Sequence, residues 1–175
     1  MYYAQFRPYD VANGPGIRCS LFVSGCTHNC PGCFNGDYQR FNYGQKWNDE
    51  IEKQVLDQMS LEQIDGLTLL GGEPMQNTAG LIPLLEHLRQ FLADHNLEGK
   101  KDIWVYSGYT YEQILADPNR LALLKLCDVL VDGLFVEELK DLNLRFRGSS
   151  NQRIIDIHKS LEEDRIVDYD LAHLL

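Results

Sequence analysis

Three of the chain's five cysteines, Cys26, Cys30 and Cys33, lie within one short run, G-C-T-H-N-C-P-G-C-F-N from Gly25 to Asn35. Thiolates on a tight C-x3-C-x2-C loop are the ligand set of an iron-sulfur cluster, and Pro31-Gly32 supplies a turn between the second and third sulfur. A four-iron cluster has four corners, so three thiols leave one iron open to a molecule from outside. A structural zinc site is the competing chemistry. It needs four ligands closed into a tetrahedron, and the nearest extra donor is His28 inside the same loop. Cys19 and Cys127 stand far away in apolar runs, which suits small core residues better than ligands. An odd number of cysteines without a secretory signal argues against a disulfide framework and for metal or redox chemistry in a reducing, cytoplasmic setting.

The elements that must position this loop follow from hydrophobic periodicity. Short apolar runs at Ile17 to Val23, Leu67 to Leu70, Ile103 to Tyr106, Val129 to Val131 and Arg153 to Ile157 read as strands. Between them, Asn48 to Met59, Leu81 to Leu92, Tyr111 to Ala116 and Arg120 to Leu126 read as helices. Asn48 or Asp49 caps the first, and Pro83 is placed in the first turn of the second, where proline is tolerated. Alternating strands and helices predict an α/β fold around a parallel sheet. Gly25-Cys26, Gly71-Gly72-Glu73-Pro74, Ser107-Gly108 and Asp132-Gly133 each follow a predicted strand, so all four fall on the carboxyl rim where such folds bind ligands.

Composition narrows the function classes. With 16 Lys plus Arg against 26 Asp plus Glu, the net charge of -10 gives no field to hold phosphate backbones, so nucleic acid is not an expected partner. No stretch approaches the roughly 18 apolar residues of a membrane helix, so no membrane association is expected either. A length of 175 residues suits one domain and falls short of the roughly 250 of a complete eight-unit barrel.

The cysteine loop resembles the signature of the radical S-adenosylmethionine enzymes. The commoner form of that signature has an aromatic before the third cysteine; here Gly32 precedes Cys33 and Phe34 follows it. C-P-G-C followed by an aromatic and Asn resembles the activating proteins of the anaerobic ribonucleotide reductase. So do V-D-G-L-F at Val131 to Phe135, R-G-S-S-N-Q at Arg147 to Gln152, and Asn13-Gly14-Pro15-Gly16-Ile17-Arg18 near the start. The resemblance runs from about Tyr2 to Ile157 and implies a catalytic domain over 1–157, with 158–175 as an extension of unassigned structure.

The resemblance implies a [4Fe-4S] cluster on Cys26, Cys30 and Cys33, with S-adenosylmethionine chelating the open iron. It assigns the cofactor to Gly32, Cys33, Phe34, Gly71, Gly72, Glu73 and Ser107, with the G-G-E turn holding the methionine ammonium. It also implies an incomplete barrel of the TIM type, with about five or six strand-helix units and one side open to a protein substrate. The implied reaction is one-electron cleavage of S-adenosylmethionine to a 5'-deoxyadenosyl radical, which takes hydrogen from a glycine of the reductase large subunit. The electron would come from a donor such as flavodoxin, and no side chain need act as acid or base. Arg18, Asp132, Arg147 and Asn151 are candidates for cofactor or partner contact, weighed evenly against roles in loop structure. Two alternatives stay open: an activator of another glycyl-radical enzyme such as pyruvate formate-lyase, and a non-catalytic zinc-binding interaction module. In the extension, S-L-E-E from Ser160 reads as a helix start.

Overall fold

The computed structural model describes residues 1–174 and has one sheet of seven strands. In chain order these are β1 (Tyr2–Asp10), β2 (Arg18–Val23), β3 (Gln45–Lys46), β4 (Gly66–Gly71), β5 (Asp102–Tyr106), β6 (Val129–Asp132) and β7 (Arg153–Asp156). Their spatial order is β3-β1-β2-β4-β5-β6-β7, and the sheet is not closed. The centre, β2-β4-β5-β6, is parallel, while β1, β3 and β7 pair antiparallel at the flanks. Helices α1 (Asp49–Met59), α2 (Thr78–Asp94), α3 (Tyr111–Leu115) and α4 (Pro118–Leu124) make the crossovers, and α5 (Ile157–Glu163) follows β7. The α/β class matches the sequence reading. The number of units is smaller than expected: four parallel strands with three helical crossovers, because the outer positions are filled by antiparallel strands.

Period-two alternation gives the parallel strands two buried faces. Cys19, Leu21, Leu67, Leu69, Ile103, Val105 and Leu130 face the helices and form the main core with Val55, Met59, Leu85 and Leu88. On the opposite face, Trp104, Val129, Val131 and Ile154 make a second cluster, against which Tyr106, Phe146 and Tyr169 pack. Helix starts are specified locally. The Asn48 side chain accepts from the Ile51 N–H, Asp117 accepts from two N–H groups of α4, and Thr110 with Gln113 forms a reciprocal capping box on α3.

Two starts differ from the sequence reading. Helix α2 begins at Thr78, so Pro83 stands inside it instead of in the first turn. The turn Pro74–Gln76 runs almost directly into the helix and extends it upstream. Ser160 does not open a helix: α5 begins at Ile157 under an Asp156 cap, and Ser160 is buried within it, its hydroxyl accepting from the Val167 N–H at 2.9 Å. The residues after α5 return to the sheet. Val167 and Tyr169 exchange backbone bonds with Asp156 and Ile154, which covers the outer edge of β7, and the Tyr169 ring meets Trp104 at 5.3 Å. No helix among the described residues is long and apolar enough to cross a membrane.

Arg18 is fully buried at the start of β2. Its Nε donates to Thr68 Oγ1 at 2.8 Å, and an Nη donates to the Leu67 carbonyl at 3.1 Å and pairs with Asp102 Oδ1 at 2.6 Å. Burial pushes the Asp102 carboxyl up, and the guanidinium beside it works in the opposite direction. Asp132 is also buried, accepting from the Tyr111 N–H and from Arg153. Arg18 ties β2 to β4 and β5, and Asp132 ties β6 to β7 and α3. Arg18→Met is expected to keep the volume but strand these acceptors, lowering stability by about 3 kcal/mol in denaturant titration; a change below about 0.5 kcal/mol would contradict this role.

Candidate active site at the carboxyl rim

The four parallel strands end in the four segments that carry the candidate residues. After β2 the chain enters the cysteine loop, after β4 the G-G-E turn, after β5 Ser107-Gly108-Tyr109, and after β6 Gly133. Parallel register sets their relative height: Val23 pairs with Gly71, and Tyr106 with Val131. The first two ends are joined by backbone bonds, Gly72 N–H to the Val23 carbonyl and Glu73 N–H to the Gly25 carbonyl, both 2.7 Å. This approach requires glycine. Gly71 has φ +105°, and a Cβ on Gly72 would lie 2.6 Å from the Gly25 oxygen.

One cavity of about 660 Å³ opens at this rim, lined by Cys26, Cys30 and Cys33 together with Gly71, Gly72, Glu73, Ser107 and Phe34. Gly32 is the expected residue that does not border it. Its φ of +72° closes the turn between Cys30 and Cys33, and a Cβ there would meet the Glu137 carboxyl at 2.8 Å. Phe34 stands on the lip, 63% exposed, with its ring 5.0 Å from that of Phe135 and Lys140 Nζ 5.2 Å from its ring centre. Arg147 lines the cavity, whereas Asn151 donates to the Leu134 carbonyl in the loop beside it.

The three thiols are half-buried and free. Burial pushes the Cys26 and Cys30 thiols up, and the neighbouring thiols and Glu73 add to this. At Cys26 a hydrogen bond from the His28 backbone N–H works the other way, favouring the thiolate. A metal centre would favour that form further. Among the described residues no three His, Cys, Asp or Glu side chains converge as a single-ion site demands. A cluster takes each thiolate on a different iron, so its ligands need only surround a shared volume. Cys19 and Cys127 are wholly buried; burial pushes Cys19 up to about 12 and Cys127 in the same direction, as expected of inert core thiols.

Glu73 is the residue whose surroundings the sequence did not disclose. Its side chain is 1% exposed and accepts four hydrogen bonds. Oε1 takes the Gly108 N–H at 2.7 Å, His28 Nε2 at 2.8 Å and the Ser107 hydroxyl at 3.0 Å, while Oε2 takes the Met75 N–H at 2.9 Å. Gln76, also missed, bridges Thr27 and the Tyr109 hydroxyl. Apart from Met75, these partners lie 33 to 49 residues apart in sequence, beyond the reach of any local pattern.

Comparison with known proteins agrees with this geometry. Residues 12–155 match the family model described as a 4Fe-4S single cluster domain. The chain is 42% identical over 156 residues to the anaerobic ribonucleoside-triphosphate reductase-activating protein of Escherichia coli K12, covering 87% of this chain and 96% of that protein. The protein of the same name from Haemophilus influenzae is 41% identical over 158 residues, covering 88% and 97%, and that of Enterobacteria phage T4 is 36% identical over 156, covering 88% and 93%. The chain belongs to the anaerobic ribonucleoside-triphosphate reductase-activating proteins.

For a member of this family the donor set fits an iron-sulfur cluster: three soft ligands on one loop, at one end of a cavity walled by glycine backbone and a buried carboxylate. Cys26→Ala, Cys30→Ala and Cys33→Ala are each expected to abolish iron uptake on anaerobic reconstitution with iron and sulfide, followed by iron analysis and visible absorbance. Cys127→Ala is expected to load fully. A Cys30→Ala protein with full iron content would refute the ligand assignment.

Proposed function

We propose that this chain activates the anaerobic ribonucleoside-triphosphate reductase by generating a glycyl radical on it. The observation that carries the proposal is the meeting of the three-thiol loop and the G-G-E turn on one cavity, in a chain of this family. When bound, a [4Fe-4S] cluster with one open iron supplies the electron that cleaves S-adenosylmethionine, from which hydrogen abstraction at the reductase glycine follows. Cys26, Cys30 and Cys33 would hold the cluster. Gly71 and Gly72, lacking side chains, would let backbone approach the amino-acid end of S-adenosylmethionine beside Glu73. Ser107 and Phe34 would border the remainder, and the surrounding walls would keep water from the reacting atoms.

The unclosed sheet supports reading the fold as an incomplete barrel with one side open. A loop of a large protein can then enter at the rim. Glycine suits such a substrate, since it has no side chain to block approach and its backbone bends freely. The electron donor would be a small one-electron carrier such as flavodoxin, and the acidic chain offers no broad positive face for nucleic acid.

The test combines the reconstituted protein, S-adenosylmethionine, a reductant and the anaerobic reductase, read by electron paramagnetic resonance. A glycyl-radical signal on the reductase is expected. A signal produced with pyruvate formate-lyase and not with the reductase would overturn the substrate assignment.

A further inference from the structure

The geometry points to His28 as a positioning residue that locks the cysteine loop to the G-G-E turn, so that the Cys26 ligand and the cofactor-facing backbone keep one fixed separation. This deepens the function proposed above and rests on it.

His28 touches both halves of the site. It stands in the cysteine loop two residues after Cys26 and two before Cys30, and its ring Nε2 lies 2.8 Å from Glu73 Oε1. An ionised carboxylate can only accept, so Nε2 carries the proton of this bond. Glu73 in turn takes the Ser107 hydroxyl and the Gly108 and Met75 N–H groups. Three of the four donors fall on Oε1 and one on Oε2, so most of its acceptor capacity is taken by the protein itself. The buried carboxylate is therefore a hub joining three strand ends, and the ring of His28 is the spoke from the cysteine loop.

The ring is held from its other side. It meets Tyr109 edge-on at 4.6 Å, the Arg120 guanidinium lies 3.7 Å from the centre of the Tyr109 ring, and a Cβ on Gly108 would come within 2.7 Å of the imidazole. Gln76 adds a parallel clamp, accepting from the Thr27 N–H at 3.0 Å and donating to the Thr27 hydroxyl at 2.7 Å. The ends of the loop are fastened to the same turn by the Glu73 N–H on the Gly25 carbonyl at 2.7 Å and by the Asn35 side-chain amide donating to the Gly71 carbonyl at 3.1 Å, and between those ends the side chains that tie the loop to Glu73 and Gln76 are His28 and Thr27. Supporting bonds of this kind around metal ligands commonly change affinity by about 10- to 100-fold when removed.

The test uses the full chain as wild type, His28→Ala, His28→Gln and the surface control His87→Ala. Glutamine can return an N–H to Glu73; alanine cannot. In the iron-free proteins, hydrogen exchange of the Thr27 to Cys33 amides is expected to be about tenfold faster in His28→Ala and restored in His28→Gln. After anaerobic reconstitution with iron and sulfide in excess, which saturates the site despite a loss of affinity of that size, all four proteins are expected to hold equal iron. The concentration of S-adenosylmethionine needed to change the paramagnetic spectrum of the reduced cluster is expected to rise about tenfold or more in His28→Ala and return towards wild type in His28→Gln.

Unchanged loop exchange and unchanged S-adenosylmethionine affinity in His28→Ala would overturn the inference. Loss of iron in both His28 variants would also overturn it, by making His28 a ligand. A wild-type protein that takes up no iron would sink the functional reading itself, and the iron-free exchange experiment would still decide whether His28 clamps the loop.

Discussion

The carboxylate of Glu73 is the interaction on which the site depends. Removing a negative charge from water costs several kcal/mol unless donors replace the lost solvation. Here four do, drawn from the cysteine loop, the turn after β4 and the segment after β5. Because an unpaired buried carboxylate is so unfavourable, each of those segments is held where its donor reaches Glu73. The charge is thus a geometric constraint, and the cavity walls are its consequence.

That constraint can act only because the sheet delivers the segments to the same height. Parallel pairing of β2, β4 and β5 puts their carboxyl ends side by side, with Val23 opposite Gly71. The opposite end of the strands is fastened separately, by the buried Arg18 reaching Thr68, Leu67 and Asp102 across three strands. Stability and chemistry therefore occupy opposite rims. The main apolar core lies between the sheet and its helices, which leaves the second face free to line the deep wall of the cavity with Phe22, Leu70 and Tyr106.

Short-range features of this architecture were legible in the sequence. The C-x3-C-x2-C loop, the Gly71-Gly72-Glu73 turn and the Asn48 cap each show within a few residues. Four strand ends were placed because apolar runs stopped at glycine. Strand β1 gave no such signal: Tyr2 to Asp10 contains Pro8, is mostly half-buried and carries two register irregularities against β2, so it lacks clean alternation. The start of α2 was missed because Asn77 and Thr78 precede the apolar stripe. Roles set by distant partners were invisible. Arg18 reaches Asp102 across 84 residues, and His28 reaches Glu73 across 45, so one candidate contact residue became a structural bolt and a loop histidine weighed only as a spare zinc donor became part of the site.

The central claim is that three thiols and the neighbouring G-G-E turn leave one corner of a four-iron cluster for S-adenosylmethionine. Mössbauer spectroscopy of the protein reconstituted with iron-57 tests this most directly. On adding S-adenosylmethionine, about one quarter of the iron absorption is predicted to move to a distinct signal, as expected when one of four irons gains new ligands. Four irons that remain alike, or tight binding of zinc with no cluster, would contradict the account.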